Sequence, residues 1–109
     1  MSGFDDRERA FENKFEFDEE IEFKINSRMA RLFGLWAAEQ LGLSGQAATA
    51  YADAGVEVET AKSGRKDLIA KTEKDFTEKG LVMSYHRLER EMETFYRKAR
   101  EQVASGKSA

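Results

Sequence analysis

The chain has 109 residues and a mass of 12.4 kDa, which suffices for one compact domain with an appended segment but not for two independent cores. It contains no cysteine, which excludes disulfide bonds, thiolate metal sites and cysteine nucleophiles, and we expect a reducing compartment such as the cytoplasm. Proline is absent and 36% of the residues are charged, a composition that favours long solvent-facing helices over sheets.

The charge is distributed unevenly along the chain. Residues 1–20 carry eight acidic and three basic side chains, a net charge of −5, whereas the remainder carries thirteen acidic and fifteen basic ones, a net charge of +2. This distribution argues against nucleic-acid binding, because neutralising phosphates requires a basic face. The most apolar span, residues 32–52, is interrupted by polar residues and glycines, so we expect no segment that inserts directly into a membrane.

The first predicted element is an N-terminal arm, residues 1–18. Phe4, Phe11 and Phe15 follow steps of seven and four, which places their rings along one side of a helix with charged residues at its flanks. So few apolar residues cannot offset a backbone entropy cost of about 1–2 kcal/mol per residue, and we expect the arm to be flexible until a partner covers it. Alternatively, this stretch extends the first helix and shields the bundle.

The next elements are a long helix and a short one. The long helix has an apolar face with spacings of three and four residues: Ile21, Ile25, Met29, Leu32 and Trp36. Gly42 is its predicted end, and Trp36 is expected at the centre of the core. A short helix at residues 47–54, capped by Ser44 and ended by Gly55, follows. Residues 56–65 alternate like a strand but have no partner strand, and we expect a connector there.

Two more helices complete the predicted fold. The third runs from Lys66 to Lys79, is ended by Gly80, and has this buried face: Leu68, Ile69, Thr72 and Phe76. The fourth follows Ser84 and has this seam: Tyr85, Leu88, Met92, Phe95 and Ala99. Short connections between such helices predict an all-α, antiparallel four-helix bundle. The predicted units are the arm 1–18, the bundle 19–104 and a frayed tail 105–109.

Residues able to carry chemistry are few. The single histidine, His86, cannot assemble a histidine-rich metal site and is expected at the surface. Asp18, Glu19 and Glu20 are consecutive and would point in different directions on a helix, so we expect a solvated face there. We expect no metal, no cofactor and no enzymatic activity.

One turn could contact an anion or a nucleotide. Its residues are Ser63, Gly64, Arg65 and Lys66. A helix N-terminus beside two cations can hold a phosphate, although the spacing of a P-loop is missing. The other interpretation is a simple N-cap turn.

Several motifs carry a resemblance to a known family. They are "FDDRERAFENKF" at 4–15, "DEE" at 18–20, "LFGLWAAEQLGLSG" at 32–45 and "RKDL" at 65–68, followed by "SYHRLEREM" and "AREQV" in the last helix. In these motifs the chain resembles the ATP synthase zeta-subunit family, the ATPase inhibitor of alphaproteobacteria. The resemblance extends over nearly the whole chain.

The resemblance implies a four-helix bundle whose N-terminal segment enters a catalytic αβ interface of the F1 motor and blocks ATP hydrolysis. It further implies a regulatory protein, monomeric when free, whose partners are the α, β and γ subunits of F1. Such a protein would be cytoplasmic and peripheral at the inner membrane. The partner-binding residues carried over from the matching motif are Phe4, Asp5, Asp6, Arg7, Glu8, Arg9, Phe11, Lys14 and Phe15.

The chain departs from the family pattern at Glu16, Phe17 and Glu22, where smaller or more basic residues are expected. Two other functions also fit the residues. One is a small helical adaptor or nucleotide-sensing module that uses the basic turn at 63–66 and keeps the arm only as a tether. The other is a structural protein that self-associates through the phenylalanine stripe.

Overall fold

The computed structural model describes residues 18–61 and 64–106. This part of the chain forms four helices and no strand: α1 (Glu19–Gln40), α2 (Gly45–Thr60), α3 (Gly64–Lys79) and α4 (Tyr85–Ala104). The predicted all-α fold class is therefore confirmed. Of the predicted arm, only Asp18 belongs to the described residues. None of the described helices combines the length and the hydropathy needed to cross a membrane.

The helices pack in a ring in which α1 contacts α2 and α4, and α3 contacts the same two helices. α2 runs antiparallel to both α1 and α3, because residues near the start of α2 contact residues near the end of each neighbour and residues near its end contact residues near the start. The contacts are Glu22 with Glu59 and Gly34 with Ala52 between α1 and α2, and Tyr51 with Asp75 and Gly55 with Leu68 between α2 and α3. The bundle thus buries one face of each helix against its neighbours.

The core consists mainly of apolar side chains from α1, α3 and α4, and α2 adds the buried Ala52. The predicted buried face of α3 is confirmed at all four positions: Leu68, Ile69, Thr72 and Phe76. Thr72 satisfies its buried hydroxyl by donating to the carbonyl oxygen of Leu68 at 2.8 Å. In α4, Leu88, Met92 and Ala99 are buried, while Tyr85 and Phe95 are half-buried and pack against the same core.

The centre of the core differs from the sequence-based expectation. Phe33 is fully buried at 0% exposure, whereas Trp36 is half-buried and packs at the edge of the core. The centroid of the Trp36 ring lies 5.7 Å from that of Phe33, 6.0 Å from that of Phe76 and 6.2 Å from that of Phe95. Ile25, Met29 and Phe33 are spaced by four residues and lie on the face of α1 that points into the bundle. Trp36 lies at the edge of that face.

The predicted short second helix and the connector after it are wrong. α2 continues through Gly55 to Thr60, so that residues 56–60 are helical. Gly55 is buried inside this helix, and a Cβ there would lie 3.3 Å from Leu68 Cδ1 on α3. Close packing against α3 therefore outweighs the cost of about 1 kcal/mol that glycine imposes on a helix interior. Val56 and Val58, which suggested a strand, pack against the core instead.

Two predicted helix ends are confirmed. Gly42 follows α1 with φ +79° and Gly80 follows α3 with φ +84°. This left-handed backbone conformation favours glycine and stops a helix.

Candidate functional site at the N-terminal end of α1

α1 has a defined first residue because Asp18 caps it. The backbone of Asp18 is extended, with φ −101° and ψ 106°, and its Oδ1 accepts hydrogen bonds from the backbone N–H of Glu20 at 3.0 Å and of Ile21 at 3.2 Å. Such a cap stabilises a helix by about 1 kcal/mol, and acidic residues in the first turn, here Glu19 and Glu20, favour the positive end of the helix dipole. α1 therefore begins at Glu19, and the alternative in which the arm extends α1 concerns residues that lie outside the described ones.

A polar cluster joins α1, α3 and α4 one turn beyond this cap. The hydroxyl of Tyr96 in α4 donates to Glu22 Oε1 in α1 at 3.4 Å. The guanidinium carbon of Arg65 in α3 lies 5.1 Å from the centroid of the Tyr96 ring, and its Nη1 lies 3.5 Å from Glu93 Oε2. We call these four residues, together with Glu59 of α2, the junction. The junction therefore connects all four helices at the end of the bundle where the arm begins.

Glu59 is the electrostatically unfavourable member of the junction. Burial raises the pKa of the Glu59 carboxyl, the charge of Arg65 opposes this rise, and the charge of Glu22 adds to it, so that the pKa lies above its ordinary value. Glu59 also occupies the last turn of α2, where the helix dipole is negative and no basic residue compensates it. Arg65 thus acts on two carboxyl groups of the junction: it pairs with Glu93, and its charge opposes the raised pKa of Glu59.

Tyr96 remains a hydrogen-bond donor at neutral pH. Burial and the nearby Glu22 carboxylate raise the pKa of its hydroxyl, while the charges of Arg100 and Arg65 oppose that rise. Its ring lies against the guanidinium of Arg65, which is a favourable cation–π arrangement. Tyr96 is therefore the side chain through which α4 holds both α1 and α3.

Most of the predicted site residues lie outside the described residues. These are the arm positions Phe4, Asp5, Asp6, Arg7, Glu8, Arg9, Phe11, Lys14 and Phe15, and also Ser63 of the basic turn.

The rest of the basic turn opens α3. Gly64 has φ +57° and its N–H donates to the carbonyl oxygen of Ala61 at 3.1 Å. Arg65 is directed toward Glu93 and Tyr96, whereas Lys66 is exposed. Arg65 therefore already has protein partners, and anion or nucleotide binding at this turn stays a prediction.

The remaining polar candidates are surface residues. His86 is exposed, with its Nδ1 3.7 Å from Glu89 Oε1, as predicted for a surface histidine. Glu19 and Glu20 are exposed as well, and within residues 18–61 and 64–106 no three metal-binding side chains come together. The expected solvated face is therefore confirmed for Glu19 and Glu20, whereas Asp18 is partly buried and caps α1.

A second polar network was not predicted from the sequence. The Tyr51 hydroxyl in α2 donates to Asp75 Oδ2 in α3 at 2.6 Å, and Lys71 Nζ donates to the same oxygen at 2.9 Å. The Lys71 ammonium also lies 4.2 Å from the centroid of the Tyr51 ring. The i,i+4 spacing of Lys71 and Asp75 was a signal for their ion pair, but nothing local indicated Tyr51.

This network perturbs the titration of both of its oxygen-bearing partners. Burial raises the pKa of Asp75, but the hydrogen bonds from Tyr51 and Lys71 and the charges of Lys71 and Lys74 outweigh that effect, so the pKa lies below its ordinary value. Burial, together with the Asp75 carboxylate, raises the pKa of Tyr51. The pair thus locks α2 to α3 as a charge-assisted hydrogen bond at neutral pH.

Comparison with known proteins assigns the chain to a family. A family model described as ATPase inhibitor subunit zeta matches residues 1–102, from the arm to within two residues of the end of α4. Comparison with curated proteins gives no match. The family match confirms the resemblance and the expectation of a regulatory subunit, not an enzyme. The chain belongs to the ATPase inhibitor subunit zeta family.

Proposed function

We propose that the protein inhibits ATP hydrolysis by the F1 part of ATP synthase, by inserting its N-terminal arm into a catalytic αβ interface. The observation that carries this proposal is the cap at Asp18, which sets the start of α1 immediately after the phenylalanine-rich motif. α1 thereby begins after the arm, and the described helices bury their apolar faces on one another. The family match includes the arm, which supports the assignment of inhibition to it.

The arm suits insertion into a protein interface. On a helix, the spacing of Phe4, Phe11 and Phe15 would place three apolar rings along one side. Buried aromatic rings are among the strongest anchors of interfaces. The flanking charges that would pair with subunit residues are Asp5, Asp6, Arg7, Glu8, Arg9 and Lys14. A rotary motor must open and close each catalytic interface in turn, so a helix that fits one state stabilises that state. The bundle is too large to enter the interface and remains outside it, which limits how far the arm can insert.

The proposal defines the partners and the location. The arm contacts the α and β subunits and can reach the γ subunit, around which the catalytic interfaces are arranged. The protein then acts in the cytoplasm and is held at the inner membrane through ATP synthase.

Removal of the arm tests the proposal. Purified F1 is assayed for ATP hydrolysis with the full chain and with a chain lacking residues 1–18, and both chains are checked by circular dichroism. The full chain should inhibit, and the shortened one should keep its helical spectrum but leave hydrolysis unchanged. If neither folded chain inhibits, the proposal is wrong.

Substitution of two arm rings is a finer test. Phe11→Ala combined with Phe15→Ala should abolish inhibition, since anchors in a well-packed interface contribute about 2 kcal/mol or more each. The thermal midpoint of the free protein should stay at the parent value. Phe17→Ala is the matched control, because Phe17 lies off the stripe and its loss should matter less. A lowered midpoint in the double variant would place the rings in the bundle and contradict insertion.

A further inference from the structure

A row of arginines lines a shallow groove on the outward face of α4. Arg87, Arg90, Thr94 and Arg97 follow steps of three, four and three, which places them on one side of the helix, and Glu91 and Glu93 also line the groove. We call Arg87, Arg90, Thr94 and Arg97 the arginine row. Arg90, Thr94 and Arg97 are exposed.

The carboxylates of this groove are already engaged. Glu91 pairs with Arg87 at 3.4 Å, and Glu93 pairs with Arg65 of α3 at 3.5 Å. Within the described part of the chain, Arg90 has no ion pair, and the one hydrogen bond of Arg97 is a long contact of 3.5 Å with the Thr94 hydroxyl. Among the described residues, the guanidinium groups of Arg90 and Arg97 therefore have no carboxylate partner.

We propose that the arginine row is a second docking surface, which takes an acidic surface of the same ATPase that the arm inhibits. This inference rests on the proposed function. A guanidinium group binds a carboxylate through two parallel hydrogen bonds, so a protein surface rich in Asp and Glu is the partner that complements Arg90 and Arg97. The charged lining of the groove suits such a surface better than an apolar helix.

The position of the row supports a common partner for row and arm. Glu93 and Arg97 flank Tyr96 in α4, and Tyr96 donates to Glu22, one turn from the Asp18 cap where the arm begins. The arginine row therefore lies beside the junction, close to the residue at which the arm joins the bundle. Once the arm has entered its interface, the row is held close to the neighbouring subunit surface, and the second contact strengthens binding without a further loss of translational freedom.

Charge reversal on the full chain tests the inference. Arg90→Glu combined with Arg97→Glu is compared with Lys24→Glu combined with Lys79→Glu, the same charge change at exposed lysines of α1 and α3. Binding to purified F1 is measured by biolayer interferometry at several salt concentrations. The arginine variant should bind about tenfold more weakly, with a flatter salt dependence, and the lysine variant should stay close to the parent. Equal affinity and salt dependence of the arginine variant and the parent would overturn the inference.

Maximal inhibition separates the inference from the proposed function. At saturating concentration the arginine variant should still inhibit fully, because its arm is intact, whereas the arm variants Phe11→Ala and Phe15→Ala should not. Unchanged binding of the arginine variant overturns the second surface alone and leaves the proposed function standing. Binding to vesicles that contain an anionic phospholipid is measured last. If the arginine substitutions weaken binding to the vesicles and leave binding to F1 unchanged, the arginine row binds lipid and the inference is overturned.

Discussion

Gly34 of α1 lies against Ala52 of α2 so closely that a Cβ at Gly34 would come within 2.8 Å of the Ala52 Cα. Real Cβ atoms essentially never approach a backbone atom to that distance. The absence of a side chain at Gly34 thus sets the separation of the antiparallel pair α1 and α2.

Gly34→Ala should lower the thermal midpoint. Alanine favours a helix by about 1 kcal/mol over glycine, but the overpacking against the Ala52 backbone costs about 1–3 kcal/mol and should prevail. Gly55→Ala is the matched control, because its Cβ would meet only Leu68 Cδ1, at 3.3 Å, and the end of a leucine side chain can move. Differential scanning calorimetry should give a lower thermal midpoint for Gly34→Ala than for Gly55→Ala. A Gly34→Ala midpoint at or above that of the parent would contradict the close contact.

Truncation of the two neighbouring aromatic residues should show which one lies at the centre of the core. Phe33→Ala should destabilise the fold by about 3–5 kcal/mol, since a fully buried ring is removed. Trp36→Ala should cost less, because the indole is half-buried and only part of its area leaves water on folding. Urea denaturation followed by circular dichroism measures both. A larger loss for Trp36→Ala would place the tryptophan at the centre instead.

Glu59→Gln should raise the thermal midpoint at neutral pH. The pKa of Glu59 is raised in the folded state, so its contribution to stability is fully present below the unfolded-state pKa and is lost as pH rises through the folded-state pKa. Glutamine mimics the protonated carboxyl and removes the repulsion by Glu22. The advantage of the variant should therefore shrink as the pH is lowered toward 4, as thermal scans at several pH values will show. Glu57→Gln, at an exposed position of α2, is the control.

Tyr51→Phe should raise the pKa of Asp75, because the hydrogen bond that favours the ionised carboxylate is removed. A carbon-detected NMR titration of the Asp75 carboxyl measures this directly. The lowered pKa of Asp75 contributes stability above the unfolded-state pKa, and this contribution is lost as pH falls through the folded-state value. Asp75→Asn should therefore lower the midpoint most near pH 7 and least in acid. An unchanged Asp75 titration in Tyr51→Phe would exclude the role of Tyr51.

The sequence alone determined the features that depend on local chemistry. The buried face of α3, including Leu68 and Phe76, follows from the helical period, and the helix ends at Gly42 and Gly80 follow from the backbone freedom of glycine. The family was likewise recognisable from short motifs, and the match over residues 1–102 confirms it. None of these features requires knowledge of which helices are neighbours.

Tertiary structure decided the rest, because burial and pairing depend on neighbours distant in sequence. The local sequence predicts a helix end at Gly55, but Gly55 lies inside α2 and packs against Leu68 of α3. Phe33 and Trp36 are both apolar residues of α1, and only the arrangement of α3 and α4 places the first at the centre and the second at the edge. The junction is assembled from four helices, so no local pattern could predict that the Arg65 guanidinium would lie over the Tyr96 ring.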